Sequence, residues 1–440
     1  MAPVSPAARS TDPAPVTDDG ARVDVAGLQA FVIALFFIFG GITSLNDVII
    51  PKLKELFTLS YMEAMLVQSA FFAAYFIVSI PAAAIAKRVG YMRGAVIGLL
   101  TMMAGCLLFI PASSSATFGV FLFALFVLAS GVTIVQVVAN PLISLLGPPA
   151  TAPSRLTFAQ AFNSLGTTIF PYFGSILILG SLAHVSADQL SGIALADYRV
   201  QETRAVVHAY IGIAGALLLV AAVVWFNRNR LRGEQHGDSS ILGSFALLRR
   251  PRFAFGTACI FLYVGAEVAI GSLIVNYLAQ HQVMNLSEQA AGKLIPLYWC
   301  GALVGRFIGA IILRRINPGK VLALNAVGAI VLATLSANVT GTVAGYALLM
   351  IGLMNSIMFP TIFSLACEGL GPRAADGSGV ICMAIVGGAV VPPLTGHLAD
   401  VSGSLGFALL LPALCYLVIA AFGLYARKPY DAAGTRAPAR

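Results

Sequence analysis

Apolar residues run along this chain in blocks of roughly twenty, parted by short segments that collect the charge. A helix crossing the hydrocarbon core of a bilayer needs about 20 mostly apolar residues, and it satisfies its backbone hydrogen bonds internally. The blocks predict twelve spanning helices, at 28–50, 63–86, 94–111, 117–146, 155–180, 206–227, 253–280, 288–313, 320–337, 343–367, 375–398 and 405–426. The third and ninth are the shortest.

Composition agrees. Of the 440 residues 59% are hydrophobic and 10% charged, and the mean hydropathy is +0.90. A soluble domain carries roughly 25% charged residues, so this chain has too little polar surface to cover a globule of its size. Lys and Arg set the orientation, because cytoplasmic loops carry an excess of them. With both termini placed in the cytoplasm, 20 basic residues fall inside and 5 outside, and Arg306 falls within a span. The net charge of +8 follows from this topology and calls for no nucleic-acid partner. The chain reads as a multi-pass membrane protein in contact with lipid, expected to act as a monomer.

The first 27 residues hold Asp12, Asp18, Asp19 and Asp24, several prolines and no apolar core. They read as a disordered cytoplasmic tail rather than a signal peptide. The six cysteines fall in or at the ends of spans, with no metal or disulfide spacing. The five histidines are scattered, and no phosphate-binding loop of the G-x-x-x-x-G-K-[S/T] type occurs. An enzyme, a resident metal or cofactor, and direct ATP-driven pumping are all disfavoured.

The chain repeats itself at a shift of about 220 residues. Gly40 aligns with Gly265, Gln136 with Asn355, Pro141 with Pro360, Gly166 with Gly387 and Pro171 with Pro392. The organisation expected is a tail (1–27), a six-helix half (28–227), a basic cytoplasmic linker (228–252), a second six-helix half (253–426) and a tail (427–440). Two such halves joined by a cytoplasmic loop are the layout of the major facilitator superfamily, in which substrate binds near the midplane between them. The segment from Lys87 and Arg88 to Arg93 resembles that superfamily's loop between spans two and three, a gating element, but lacks its usual acid.

Within the spans, charge and amide groups mark candidate chemistry. A charge at the bilayer centre costs about 2.5–3.5 kcal/mol on insertion scales, which draws attention to Asp47, Glu267 and Arg306. Asp47 and Glu267 occupy equivalent spans of the two halves and are the candidate coupling acids. Glu267 could equally form a structural ion pair with Arg306. Asn46, Gln68, Gln136, Asn140, Gln160, Asn163, Asn276 and Asn355 lie in otherwise apolar spans. Amides both donate and accept, which suits a ligand covered in hydroxyls, although amides also join helices to one another. Phe39, Tyr75, Phe162, Tyr298, Trp299 and Phe359 could stack on a sugar face, Trp299 and Phe359 foremost. Gly40–Gly41, Asn140–Pro141, Pro171, Gly387–Gly388 and Pro392–Pro393 would kink helices or admit close approach.

The segments Ser44-Leu-Asn-Asp-Val-Ile-Ile-Pro51, Val135-Gln-Val-Val-Ala-Asn-Pro141, Arg155-Leu-Thr-Phe-Ala-Gln-Ala-Phe-Asn163, Tyr263-Val-Gly-Ala-Glu267 and Phe359-Pro-Thr-Ile-Phe-Ser-Leu365 resemble the fucose–galactose–glucose:proton symporter family. The resemblance covers residues 28–426. It implies secondary active uptake of a sugar, with Asp47 in the place of the fucose permease's proton-coupling aspartate. That permease has a glutamate in span four, where this chain has Gln136, as the glucose/galactose transporters do. The resemblance therefore implies a neutral hexose of the glucose/galactose type, with L-fucose and N-acetylglucosamine as alternatives. Glu267 would supply a second acid, and the coupling ion is a proton or sodium.

Overall fold

The computed structural model describes residues 25–57, 61–115, 117–174, 192–229 and 241–428, and these are helical with no strand among them. The first half contains α1 (Val25–Phe57), α2 (Tyr61–Val89), α3 (Tyr91–Leu107), α4 (Phe109–Ser115), α5 (Phe118–Leu145), α6 (Ala152–Gly174) and α7 (Gly192–Phe226). A short helix α8 (Ile241–Phe245) precedes the second half, which begins with α9 (Pro251–Ala279), α10 (Glu288–Gly292) and α11 (Ile295–Ile312). It continues through α12 (Pro318–Asn338), α13 (Thr342–Asn355), α14 (Met358–Ala366), α15 (Ala374–Met383) and α16 (Gly387–Ser402) to α17 (Leu405–Ala408) and α18 (Leu410–Ala426).

Ten of these helices or helix runs are long and apolar enough to cross a bilayer. In α7 the apolar stretch is the shorter Tyr210–Phe226, and the span expected at 155–180 runs past α6 into residues outside those described. Both expected tails also lie outside them, apart from residues 25–27 and 427–428, as does the linker over 230–240.

The packing repeats. In the first half α1 lies on α6, α2 on α5, and α3 on α5 and α7. In the second half α9 lies on α16, α11 on α13, and α12 on α13 and α18. Small residues at the crossings explain how two helices come this close. A Cβ added at Gly166 would sit 2.2 Å from the Phe37 carbonyl oxygen, and one at Gly387 would sit 1.9 Å from that of Phe261. These are the α1–α6 crossing and its α9–α16 counterpart, and without hydrophobic drive in lipid such backbone approach is a main source of association.

Five of the expected spans are interrupted among the described residues: the third at Leu108, the eighth at Lys293 and Leu294, the twelfth at Leu409, and the tenth and eleventh as well. The tenth breaks between α13 and α14 at Ser356 and Ile357, and the eleventh passes through a tight turn at Ala384–Val386. Pro360 contributes to the break in the tenth, because a proline inside a helix offers no N–H to the carbonyl four residues back, here Ser356.

Candidate functional site

In the first half, α5 and α6 carry the amides. Every residue from 128 to 143 of α5 is buried, so the polar groups there point into the protein and not at lipid. The Tyr75 hydroxyl of α2 donates to Gln136 Oε1 at 2.6 Å, while Gln136 Nε2 has no partner among the described residues. Gln160 is likewise buried as a residue, yet neither of its amide atoms has a partner among the described residues. Asn163 lies on the same face of α6 and donates to the Phe36 carbonyl at 3.2 Å. Gly40 makes room for it, since a Cβ there would meet Asn163 Nδ2 at 2.4 Å.

In the second half, Glu267 of α9 is held from its own helix, one turn back, by the Tyr263 hydroxyl at 2.8 Å. Tyr263 also lies 3.1 Å from the Asn355 carbonyl, and Asn355 Nδ2 donates to the Tyr298 hydroxyl at 2.8 Å. Arg306 is near enough to act on the Glu267 carboxyl electrostatically, but no ion pair joins them. Its guanidinium is used elsewhere. Nε donates to the Ser356 carbonyl at 3.2 Å, which is the group freed by Pro360, and Nη1 reaches across to the Gln160 carbonyl at 3.1 Å and to the Ser164 hydroxyl. Among the described residues Glu267 thus has no direct cationic partner, and Arg306 ties α11 to α6 of the other half.

The halves are further fastened at the end where α2, α5 and α11 finish and α6 and α15 begin, the end rich in Lys and Arg. Lys87 bonds Asp376 at 3.0 Å, and Asp376 also receives Arg373 Nε and the Ser244 hydroxyl, each at 3.3 Å. Ser154 donates to the Ala310 carbonyl at 2.6 Å, and Ser378 to the Val137 carbonyl at 2.7 Å. The acid missing from the loop after α2 is therefore supplied by the other half, from the first turn of α15.

The expected residues divide accordingly. Gln136, Gln160 and Asn163 lie on α5 and α6 of the first half and Glu267 on α9 of the second, while Arg306 of α11 reaches from the second half to α6. Asn140 is completely buried with neither amide atom partnered, and Asn355 is locked to Tyr298 in the core of the second half. Asn276 is exposed and stands half a turn round α9 from Glu267, away from the cluster. Trp299 is 44% exposed, edge-on to Tyr298, while Phe359 is buried against Phe363. Arg88 and Arg93 are exposed beside Lys87. Asn46 and Asp47 lie on α1, but their side chains are outside those described. Asp376, Ser164 and Ser378 were not singled out by sequence, because each becomes notable only through a partner in the other half. Among the described residues no group of His, Cys, Asp and Glu could hold a metal ion.

Residues 31–384 match the Major Facilitator Superfamily. The glucose/galactose transporter of Brucella abortus is 47% identical over 394 residues, 90% of this chain and 92% of that protein. The L-fucose-proton symporter of Escherichia coli is 35% identical over 405 residues, 90% of this chain and 92% of that one. A crystal structure of the superfamily transporter FucP in the outward conformation matches with a TM-score of 0.84 at 33% identity, over 91% of this chain and 99% of that one. With two helical halves of matching packing and these relatives, the chain belongs to the fucose–galactose–glucose:proton symporter family of the major facilitator superfamily.

Proposed function

We propose that this protein imports a neutral hexose of the glucose/galactose type together with a proton, by alternating access across the inner membrane of a bacterium. The observation that carries this reading is the pair Gln136 and Gln160, in which Nε2 of the first and the whole amide of the second have no partner among the described residues, amid buried apolar helix. An amide so placed can hydrogen-bond a ligand hydroxyl without first giving up a protein partner. Relatives named as glucose/galactose transporters support the hexose, and relatives named as fucose-proton symporters support the proton.

Twelve spans with both termini cytoplasmic place the Lys87–Asp376 end inside the cell. The fastened state is then closed inward and open outward, which the likeness to an outward-conformation structure also supports. In this reading sugar enters from outside and meets Gln136, Gln160 and Asn163, with Asn46, Asn140, Asn276, Asn355, Trp299 and Phe359 as further candidates. Asp47 and Glu267 carry the coupled proton. The inward release step then breaks the links through Lys87, Ser154, Ser378 and Arg306, with residues 28–227 rocking against 253–426 about the 228–252 linker, and a single chain suffices. One proton crossing 100 mV supplies about 2.3 kcal/mol, enough for roughly a fiftyfold sugar gradient.

Uptake of radiolabelled glucose and galactose into proteoliposomes tests this, with pH and sodium gradients imposed separately and with fucose and N-acetylglucosamine as competitors. Acid outside should drive accumulation, and sodium should not. Accumulation driven by sodium alone would overturn the proton, and absence of saturable uptake of either hexose would overturn the hexose assignment.

A further inference from the structure

We propose that Tyr75 is a specificity-determining residue, acting by fixing which face of the Gln136 amide meets the sugar. The inference rests on the hexose-transport reading above. A glutamine amide carries an acceptor on one side and two donors on the other. Left to rotate, it could meet a hydroxyl with either. In this protein the Tyr75 hydroxyl donates to Oε1 at 2.6 Å, which takes up one lone pair of the acceptor and leaves Nε2 as the amide atom with no partner among the described residues. Tyr75 and Gln136 are each 8% exposed, so the pair is held in packed surroundings. The α5 corner of the site is thereby a hydrogen-bond donor. The sugar oxygen it meets acts as an acceptor, and the proton of that hydroxyl is directed to another partner, a role open to Oε1 of Gln160, which has no partner among the described residues.

The second half gives an internal comparison. Tyr298 and Asn355 follow Tyr75 and Gln136 by the same shift of about 220 residues that relates the halves. They form the corresponding tyrosine–amide pair, but with the bond reversed: Asn355 Nδ2 donates to the Tyr298 hydroxyl at 2.8 Å. Asn355 is fully enclosed, and its Oδ1 is buried without a partner. One repeat leaves the amide donor of its pair without a partner among the described residues, while the other uses that donor within the pair. The part of Tyr75 that acts is its hydroxyl, so its role is not that of a stacking ring.

Deoxy and deoxyfluoro hexoses read this polarity directly, because fluorine accepts a hydrogen bond and cannot donate one. Binding of glucose and galactose analogues altered singly at C2, C3, C4 and C6 is measured on the purified full-length protein. At one position the fluoro analogue should bind several-fold more tightly than the deoxy analogue, with about tenfold as the scale of one hydrogen bond. Tyr75→Phe should bring that ratio toward unity while the parent hexose still binds. Gln136→Met, which removes the donor and leaves Tyr75 in place, should do the same and serves if Tyr75→Phe does not fold. Tyr298→Phe should leave the ratio unchanged. The assignment is overturned if no position favours fluorine, if the preference survives Tyr75→Phe or Gln136→Met, or if Tyr298→Phe abolishes it equally. Failure of the wild-type protein to bind any hexose of the series would instead overturn the transport reading on which the assignment rests.

Discussion

The Ser378 hydroxyl, on α15, donates across the two halves to the Val137 carbonyl of α5 at 2.7 Å. That carbonyl is available because Pro141, four residues on, has no N–H to give it. The repeat-related Pro360 frees the Ser356 carbonyl, which Arg306 takes. Arg306 in turn reaches the Gln160 carbonyl of α6. Each half thus spends its proline's freed carbonyl in or beside a contact with the other half. These links and the Lys87–Asp376 pair together join the two halves.

Ser378→Ala should therefore loosen the closed end, since it strands a buried carbonyl at a cost of about 1–3 kcal/mol. Pro141→Ala should do so by another route, by returning an N–H to Val137 and making Ser378 redundant. Cysteine-reporter accessibility at the Lys87 end measures this. Labelling should rise in both variants, and unchanged labelling in both would mean that the contact does not hold the end closed.

Lys87→Ala and Arg373→Ala should differ, although both remove a cation from Asp376. Lys87 joins the halves, whereas Arg373 sits three residues from Asp376 on the same half. Breaking a buried pair costs up to about 3–5 kcal/mol, reduced here by the partners that Asp376 keeps. Lys87→Ala should shift the reporter toward the inward-open state, and Arg373→Ala should leave it near wild type. Equal effects would place the gate's energy in the local charge cluster instead of in the cross-link.

Glu267→Gln tests the second acid. The variant keeps the shape of the group and loses the carboxylate that accepts from Tyr263. Accumulation driven by an imposed pH gradient should fall to equilibration, with exchange of internal for external sugar retained. Asp47→Asn should behave in the same way if it is the primary acid. Should Asp47→Asn alone lose accumulation, Glu267 is a structural group; should neither lose it, the proton uses another path.

Gly387→Ala should be far more harmful than Gly396→Ala on the same helix. The first places a methyl 1.9 Å from the Phe261 carbonyl oxygen, and the second meets nothing within 4 Å. Overpacking costs about 1–3 kcal/mol, and more where backbone must move. Melting in detergent should show a clear fall in Tm for Gly387→Ala and almost none for Gly396→Ala. Matching values would mean that the α9–α16 crossing has slack.

Much of this protein was legible along the chain. Spanning helices announce themselves locally, because every residue of a lipid-facing segment must meet the same solvent, and block length and apolarity are properties of consecutive residues. The repeat, the prolines and the amide set were readable for the same reason. The break at Ser356 and Ile357 was not read, although Pro360 was in view, because proline permits a break without imposing one. Tertiary structure decided which polar groups serve the site. Gln136 and Asn355 align in sequence, yet one keeps a donor with no partner among the described residues and the other gives its donor to Tyr298. Glu267 and Arg306 suggested an ion pair as two charges among apolar residues, but Ser356, Gln160 and Ser164 compete for the guanidinium and hold it. Asp376 looked like an ordinary loop-end residue until α15 brought it to Lys87. Such choices depend on which face of one helix meets which face of another nearly 300 residues away, and the energy of a buried polar group is set by that neighbour.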